Sequence, residues 1–561
     1  EQVNGVDDML YMSSSSADSG LYTMTVTFAV GTDPDIATVN VQNRVSQANS
    51  KLPADVVRNG VSTSKSSSNM LLMVTLFSED GSYDELFLSN YASINIRDPL
   101  ARVPGVGRAD VLTDLKYAMR VWMDPERLAA LGMTPSDFVA AIRDQNAIVP
   151  AGTVGGPPGG DDPQLTYTVT AQGLLDAPEE FEQIVLRSGR DGAQVTVGDV
   201  ARVELGSQLY TYSGTFNGVP SSVIGVYQAP GANAVAVSEG VISAIDRLAA
   251  TLPEGMDYAV TYNNTDFIES SIDDVIQTLL LALVLVLAVV YIFLGSWRAT
   301  LVPAVAIPVS LIGAFAVMQA AGMSLNTISL FALVLAIGIV VDDAIVVVEN
   351  TERLIAEGLA PKEATRQAMR EVTAPVVATT LVLLAVFVPV TFMPGITGRL
   401  YSEFAITISG AVVISSINAL TLSPALCSLI LKPRKGAPRG LLRVFEGAIS
   451  ATRRGYVGIV SRLARVSIIG IVLVGVVLIG LSGLSRVAPT GFIPNEDQGT
   501  FAIDIQLPDA ATLARTETVA REVGEIIADT PGVKEYVTVN GFSILSGGAA
   551  ANGAFLAVVL D

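Results

Sequence analysis

The sequence predicts a polytopic α-helical membrane protein that carries a large extracytoplasmic α+β part. Hydrophobic residues make up 50% of the 561 residues, and the mean hydropathy is +0.50, well above the values of soluble domains. Six apolar stretches of about 20 residues, the length that crosses a bilayer, follow one another between residues 275 and 486. Strand and helix patterns fill residues 1–272 and 487–561, which predicts folded domains before and after the apolar part.

The six predicted spans carry almost no charge, and helices buried in soluble proteins are rarely this long in series. Pro303 and Pro308 lie within the second span, and spanning helices tolerate proline where neighbouring groups satisfy the freed backbone. The predicted spans are residues 275–295, 299–320, 327–350, 372–394, 404–431 and 467–486.

The loops between the spans differ sharply in charge. Fourteen Lys and Arg fall in the loops after the first, third and fifth spans, whereas the loops after the second and fourth contain only Arg399. Because Lys and Arg accumulate on the cytoplasmic side, residues 1–272 and the tail after about residue 487 are expected to share the extracytoplasmic face. Residues near 440–462 alternate Arg with apolar residues, which suits a helix on the inner membrane surface; a solvated linker helix would show the same pattern.

Composition excludes several classes of function. The chain has no histidine, which removes Ser–His triads, histidine metal ligands and a histidine proton relay. The single cysteine, Cys427, cannot form an intrachain disulfide. Residues 1–272 hold 33 Asp and Glu against 15 Lys and Arg, and this acidity argues against nucleic acid as a partner; solubility is its simplest role.

The external part predicts small α+β sandwiches built from strand, helix, strand units. Residues 21–30 alternate like a half-buried strand, and a helical period follows them. The order of strand, turn with Asp and amphipathic helix in residues 21–53 returns in residues 500–532. This weak repeat indicates a duplicated architecture, although generic strand and helix patterning would also produce it.

Two adjacent carboxylates, Asp342 and Asp343, lie near the middle of the third span. An ionised Asp near mid-bilayer costs roughly 2.5–3.5 kcal/mol, and such residues normally face a bundle interior and a proton or ion path. Because burial and mutual repulsion both oppose ionisation, we expect at least one of the pair to hold a proton near neutral pH. Neighbours on a helix point about 100° apart, so each carboxylate addresses a different helix, and proton exchange would change which helices attract one another.

Three alternatives for the aspartate pair stay open. A static buried salt bridge needs a Lys or Arg from outside the six spans, whose interiors contain none. Sodium is an alternative coupling ion, because carboxylates bind hard cations, yet the sequence shows no dedicated oxygen cage. An intramembrane aspartyl protease needs two carboxylates that face each other, which adjacent positions on one helix do not allow. The pair therefore predicts a secondary active transporter and not an enzyme.

Several segments resemble the resistance-nodulation-division (RND) exporters, and within them the hydrophobe/amphiphile efflux branch of AcrB-like multidrug pumps. The most specific segment is GIVVDDAIVVVEN at residues 338–350, around the aspartate pair. NGVDDMLYMSS, TLSPALC and GFIPNEDQG resemble the same family. The likeness covers essentially the whole chain, so the organisation and function of the family become expectations for it.

The resemblance implies efflux of amphiphilic or hydrophobic small molecules driven by the proton motive force, with protons as the coupling ion and no cofactor. It implies a homotrimer in the inner membrane of a Gram-negative bacterium, joined to a periplasmic adaptor protein and an outer-membrane channel. Metal-ion exporters of the same superfamily are disfavoured, because they place one aspartate with a different neighbour in this helix and use methionine clusters, whereas Met70 and Met73 form an isolated pair.

The resemblance also implies a twelve-helix fold, of which this chain would contain spans two to seven, with ferredoxin-like βαβ porter and docking subdomains. The chain would begin inside the first porter subdomain and end early in the second porter half. The implied divisions are residues 1–115 (porter), 116–207 (docking), 208–272 (return to the porter), 275–486 (six spans, with the amphipathic helix near 440–462) and 487–561 (start of the second-half porter).

Functional residues of the family fall on positions of this sequence. Asp342 and Asp343 match its proton-relay aspartates, whose lysine partner would lie beyond Asp561. Residues 541–548 match a Gly-rich switch loop, for which a plain surface turn is the alternative. The expected substrate-pocket and switch-loop residues are Gly541, Phe542, Ile544, Gly547, Gly548, Phe555, Val537, Met70 and Thr113.

Only part of the aromatic lining of the family's drug pocket is retained. Phe542 and Phe555 match phenylalanines, and other residues stand at four further phenylalanine positions. Fewer rings leave less stacking surface, so a different lining and a different drug range are expected. The four replaced positions are Val537, Ile544, Met70 and Thr113, and ordinary core packing is the alternative role for Met70.

Overall fold

The chain folds into two compact units. The first, which we call the sheet unit, comprises Glu1–Thr265 and Asp497–Asp561, and the second, the helical unit, comprises Asp266–Glu496. The computed structural model describes residues 1–16, 20, 22–29, 31–65, 70–148, 152–155, 165–170, 173–189, 192–323, 325–433, 441–487, 497–544 and 548–560.

The strands of the described residues lie in the sheet unit, and those at Val219–Gln228 and Val533–Ser543 are rich in β-branched and aromatic residues that suit a pleated, half-buried surface. They are β1 (Met9–Ser16), β2 (Tyr22–Phe28), β3 (Met70–Phe77), β4 (Val106–Val111), β5 (Tyr117–Met123), β6 (Thr153–Val154), β7 (Tyr167–Thr168), β8 (Val185–Ser188), β9 (Gln194–Thr196), β10 (Ala201–Ser207), β11 (Ser213–Phe216), β12 (Val219–Gln228), β13 (Asp257–Asn263), β14 (Thr500–Gln506), β15 (Val533–Ser543) and β16 (Gly548–Leu560).

The helices are numbered along the whole chain. They are α1 (Pro34–Ala48), α2 (Ala54–Asn59), α3 (Glu85–Tyr91), α4 (Arg97–Ala101), α5 (Pro125–Ala130), α6 (Pro135–Gln145), α7 (Pro178–Glu182), α8 (Val197–Val200), α9 (Ala234–Ala249), α10 (Asn264–Leu294), α11 (Trp297–Ala320), α12 (Thr327–Ala356), α13 (Pro361–Phe387), α14 (Gly395–Leu420), α15 (Leu422–Ile430), α16 (Leu441–Arg465), α17 (Ser467–Val487) and α18 (Leu513–Ala528). A π-helical turn at Ala92–Ile96 joins α3 to α4, and 3-10 turns lie at Asn49–Lys51 and Val388–Phe392.

The largest sheet joins segments from the two ends of the chain. Its strand order is β13-β3-β12-β11-β15-β16-β14, and β4 also pairs with β12. All of these pairs are antiparallel. The short strand β11 is the junction, because Thr215 lies opposite Pro220 of β12 on one side and Thr538 of β15 on the other.

Hydrophobic cores cover both faces of this sheet. Because successive side chains of a strand point to opposite faces, β3 sends Leu72, Val74 and Leu76 to one core and Met73 and Phe77 to another. The first of these cores packs under α3, α4 and α9. A further core lies between α18 and the strands β15 and β16. The face that carries α3 and α18 is therefore the helix-covered face of the sheet.

Residues 116–207, for which a docking subdomain is predicted, contain a core of their own. The strands β5 and β10 pair with each other, and Phe138, Phe181 and Val200 are buried in the core. The domain boundaries stay a prediction. Most of the loop at 151–167, and residues 434–440 and 491–496, lie outside the described residues.

The six predicted spans are confirmed as helices that are long and apolar enough to cross a membrane. Three of them begin well before the apolar run that predicted them, because α10 starts at Asn264, α13 at Pro361 and α14 at Gly395. The first turns of α14 consequently contain Arg399 and Glu403, and Glu403 accepts a hydrogen bond from Asn326 Nδ2 at the start of α12. The segment predicted near 440–462 is the helix α16, and its place on a membrane surface stays a prediction.

The core of the helical unit forms around α12. Buried alanines on its contact face, Ala336 and Ala344, leave room for close helix packing, and Ala411 of α14 does the same. Pro303 and Pro308 lie inside α11 without ending it. The aspartate pair is thus carried by a helix that is buried along much of its length in this unit.

Candidate functional site

Asp342 and Asp343 lie on α12 and meet different surroundings. The helix begins at Thr327, after an Asn326 side chain that accepts a hydrogen bond from Ser329 N at 2.9 Å. Asp342 is exposed on the surface of the helical unit, whereas Asp343 is half-buried. Adjacent helix positions point about 100° apart, which explains why one carboxylate enters the bundle and the other does not.

Ser415 of α14 contacts Asp343. Its single O–H is shared between Val340 O, 2.9 Å away, and Asp343 Oδ2, 3.1 Å away, and the side chain of Ser415 is buried. One turn along α14, Asn418 Nδ2 donates to Ser310 Oγ of α11 at 2.9 Å. Uncharged polar side chains therefore link α11, α12 and α14 beside the aspartate pair.

The sequence alone does not single out Ser415 or Asn418. Their polarity within an apolar span indicates that they pair with another helix, because polar side chains inside spans usually pair across helices. The sequence of one span does not identify which helix is the partner. The ion pairs among the described residues do not include Asp342 or Asp343. Nor do the described acidic and cysteine side chains form a group of three that could hold a metal ion.

Four of the predicted pocket residues converge in one group of the sheet unit, which we call the apolar cluster. They are Met70, Val537, Phe542 and Phe555. Phe77 and Phe216 complete its aromatic part, with ring centroids 4.8 Å apart and planes tilted by 48°. Strand alternation could have suggested Phe77, because it follows Met73 on the same face of β3, whereas no such signal points to Phe216 of β11.

Two other predicted pocket residues lie outside the apolar cluster. Thr113 is fully buried, and its hydroxyl donates to Ser222 Oγ and accepts from Val223 N, both at 3.3 Å. Ile544 is 48% exposed, and its N–H donates to Asp504 Oδ1 at 2.8 Å. The structure therefore does not bring Thr113 or Ile544 together with the four residues of the cluster.

The predicted switch loop connects β15 to β16. Gly541 lies at a bulge in β15 with φ +83°, and a Cβ there would stand 1.8 Å from Thr211 O, so only glycine fits. Gly548 opens β16, where a Cβ would meet Ser15 Oγ at an ordinary 3.4 Å. Gly547 lies in residues 545–547, outside the described residues.

Comparison with known proteins decides the family. The model of the AcrB/AcrD/AcrF family matches residues 1–561. The chain belongs to this family. The resemblance to RND exporters that the sequence predicts is thereby confirmed.

Curated members of the AcrB/AcrD/AcrF family match nearly the whole chain. The multidrug resistance protein MdtF of Escherichia coli K12 is 40% identical over 99% of it, and so is the toluene efflux pump membrane transporter TtgB of Pseudomonas putida. The multidrug export protein AcrF of Escherichia coli K12 is 39% identical over 100% of it. In each case the match covers 54% of the relative, so the chain spans about half the length of these relatives.

Gly541→Ala is expected to lower the thermal unfolding temperature of the purified chain. The substitution combines a positive φ with a Cβ that meets the backbone of Thr211, and a strained backbone position alone costs about 1–3 kcal/mol. Gly548→Ala in the same hairpin is the matched control and should change the unfolding temperature little. Equal stability of the two variants would contradict the close approach at Gly541.

Phe555→Ala is expected to lower the free energy of unfolding by about 3–5 kcal/mol, because a ring that is 6% exposed leaves a cavity in the apolar cluster. Ile544→Ala, at a position 48% exposed, should stay within about 0.5 kcal/mol of the unsubstituted chain. Denaturant titration of both variants measures the difference. A large loss for Ile544→Ala would instead place Ile544 in a packed pocket.

Proposed function

We propose that the chain is part of an inner-membrane exporter that expels amphiphilic or hydrophobic small molecules in exchange for protons. The observation that carries the proposal is the pair Asp342 and Asp343 within an apolar helix, with Ser415 bonded to the second carboxylate. Carboxylates at this depth are costly and normally mark a proton or ion path. Family membership supports the same function.

Ser415 offers a physical link between proton exchange and helix packing. When Asp343 is ionised, its carboxylate attracts the shared Ser415 O–H more strongly than the neutral Val340 O does. When Asp343 takes up a proton, the O–H returns to Val340 O, and Asp343 gains a donor of its own. Each exchange therefore changes the contact between α12 and α14, and such a two-state contact is what long-range coupling requires.

Asp342 is the second carboxylate in the proposed proton exchange. Its side chain is exposed on the helical unit, so it can receive or release a proton without crossing the buried interior. Asp343, the next residue of the same helix, then exchanges that proton with Asp342. Protons are the proposed coupling ion.

The apolar cluster is the proposed lining of the substrate pocket. Its rings and aliphatic side chains suit hydrophobic or amphiphilic molecules. Two of the relatives are named for multidrug transport and one for toluene efflux, which favours the same class of substrate. Met70 and Val537 provide flexible or small apolar contact in place of rings, so stacking should contribute less to substrate selection here.

The assembly proposed for the complete protein follows from family membership. It is a homotrimer of twelve-helix chains in the inner membrane of a Gram-negative bacterium, with large periplasmic domains. It joins a periplasmic adaptor protein and an outer-membrane channel. The half-length match to the relatives supports placing this chain within such a longer protein.

Replacing either aspartate by asparagine in the full reading frame is expected to abolish efflux while expression stays intact. Asp342→Asn and Asp343→Asn keep the size of the side chain but remove the exchangeable proton. Efflux of a fluorescent amphiphile from cells is the measurement, and Asp509→Asn, at an exposed turn of the sheet unit, is the matched control.

Unchanged efflux in both aspartate variants would overturn the proposal. Efflux that survives dissipation of the proton gradient but requires a sodium gradient would replace the coupling ion. Metal sensitivity without drug sensitivity in a deletion strain would indicate a metal exporter. Peptide cleavage that disappears with Asp343→Asn would indicate an intramembrane protease.

A further inference from the structure

A second pair of carboxylates lies in the sheet unit, on the helix-covered face beside β11. Glu85 is the first residue of α3 and Glu517 belongs to α18, so the two come from opposite ends of the chain. Their helices cover the two parts of the sheet that β11 joins. We call the line where these parts meet the β11 seam.

Both carboxylates bond to neighbouring residues of β11. Glu85 Oε1 accepts a hydrogen bond from Gly214 N, and Glu517 Oε1 accepts one from Ser213 Oγ at 2.6 Å. A side chain does not fit at Gly214, because a Cβ there would lie 2.7 Å from Ser221 O and 2.8 Å from Thr113 Cγ2. Two negative groups are thus fixed on adjacent residues of one short strand.

A buried amide extends this cluster toward the switch loop. Asn540 of β15 lies opposite Ser213, and its Nδ2 donates to Ser213 Oγ at 3.0 Å. Asn540 is only 4% exposed, yet its Oδ1 has no hydrogen-bond partner among the described residues. A buried acceptor without a donor is rare and costly, so the cluster lacks one donor.

We propose that Glu85 and Glu517 form a proton-binding site at the β11 seam, separate from the aspartate pair in the helical unit. A proton converts one carboxylate into a carboxylic acid, whose O–H is the kind of donor that the cluster lacks. It also removes one of two like charges that are held at one buried junction. The proposal concerns proton binding alone and does not depend on transport.

The electrostatics assign the proton to Glu85. Burial raises the pKa of Glu85 from 4.5 to about 8, the hydrogen bond from Gly214 opposes this rise, and the negative charges of Glu517 and Asp84 add to it. A group with this pKa binds its proton more than about a thousandfold more tightly than a free glutamate. Glu85 is therefore protonated near neutral pH.

The other charged groups near the seam do not replace the proton. The strand β11 contains no titratable side chain, and the only one in β12 is Tyr227, which stacks against Arg108 at 4.1 Å at the far end of the strand. In the segment before β5, Asp114 pairs with Lys116 at 2.8 Å. The described residues also form no group of three acidic ligands at which a metal ion could take the proton's place.

The bound proton stabilises the seam, because folding raises the pKa of Glu85. The pKa of Glu85 in the folded chain, about 8, lies above the 4.5 of a free glutamate. The stabilisation is therefore fully present below about pH 4.5 and is lost as the pH rises through about 8. Asn540 directly precedes Gly541, so the β11 seam lies beside the start of the predicted switch loop.

Infrared difference spectroscopy of the purified chain between about pH 6 and pH 10 tests this site directly, because that range brackets the pKa. The expected result includes a protonated carboxyl band, separate from any contributed by Asp342 and Asp343, that disappears with a midpoint near 8. Glu85→Gln, which keeps the acceptor for Gly214, should remove that band. Glu126→Gln, an exposed glutamate of α5, is the matched control and should leave the band in place.

Glu517→Gln provides a second variant in case Glu85→Gln does not fold. Removing the negative neighbour should move the midpoint of the band to lower pH without removing it. A spectrum that Glu85→Gln and Glu517→Gln both leave unchanged overturns the proposal. So does the absence of a band with a midpoint near 8, because a free glutamate is already ionised at about pH 6. Because no transport is measured, these outcomes are independent of efflux in the aspartate variants.

Discussion

A carboxylate inside an apolar helix bundle is tolerated only where a neighbour supplies a hydrogen bond, and Ser415 is that neighbour for Asp343. The contact fixes much of the surrounding architecture. Ser415 reaches α12 only because small residues let α12 and α14 pack closely, and Ala336, Ala344 and Ala411 provide that closeness. Since the same O–H also contacts Val340 O, its bonding depends on the charge of Asp343. Under the proposed function, this one hydroxyl makes the packing of α12 and α14 sensitive to proton exchange at Asp343.

The sheet unit meets a different constraint, which is to join two distant segments of the chain in one sheet. The four residues of β11 accomplish this, because each edge of the strand bonds to a segment from a different end of the chain. At one end of β11, Ser213 and Gly214 bond to Glu517 and Glu85, and at the other end Phe216 packs in the apolar cluster. The junction therefore combines apolar packing with hydrogen bonds to carboxylates, and only the latter contacts respond directly to pH.

Most of the helical unit could be predicted from the sequence, because a bilayer requires apolar runs of a definite length. The early start of α14 could not, since its charged first turns break the apolar pattern while continuing the helix. In the sheet unit, local strands and helices are evident from their periods, but the pairing of β11 with β15 is not, because more than 300 residues separate Ser213 from Asn540. The partners of Asp343 and Glu85 were hidden for the same reason.

The placement of the predicted pocket residues shows that Gly541 determines which face of the sheet the side chains after it in β15 enter. Val537 and Val539 of β15 point into the apolar cluster, and strict alternation would send Phe542 to the opposite face with Asn540. The bulge at Gly541 inserts one residue and reverses the alternation, so Phe542 joins the apolar cluster while Asn540 stays with Ser213. The positive φ and the approach of Thr211 O make glycine necessary at that point. The hydrogen-bonded face with the proposed proton site and the apolar face with the proposed pocket lining therefore meet across Gly541, and only two peptide bonds separate Asn540 from Phe542.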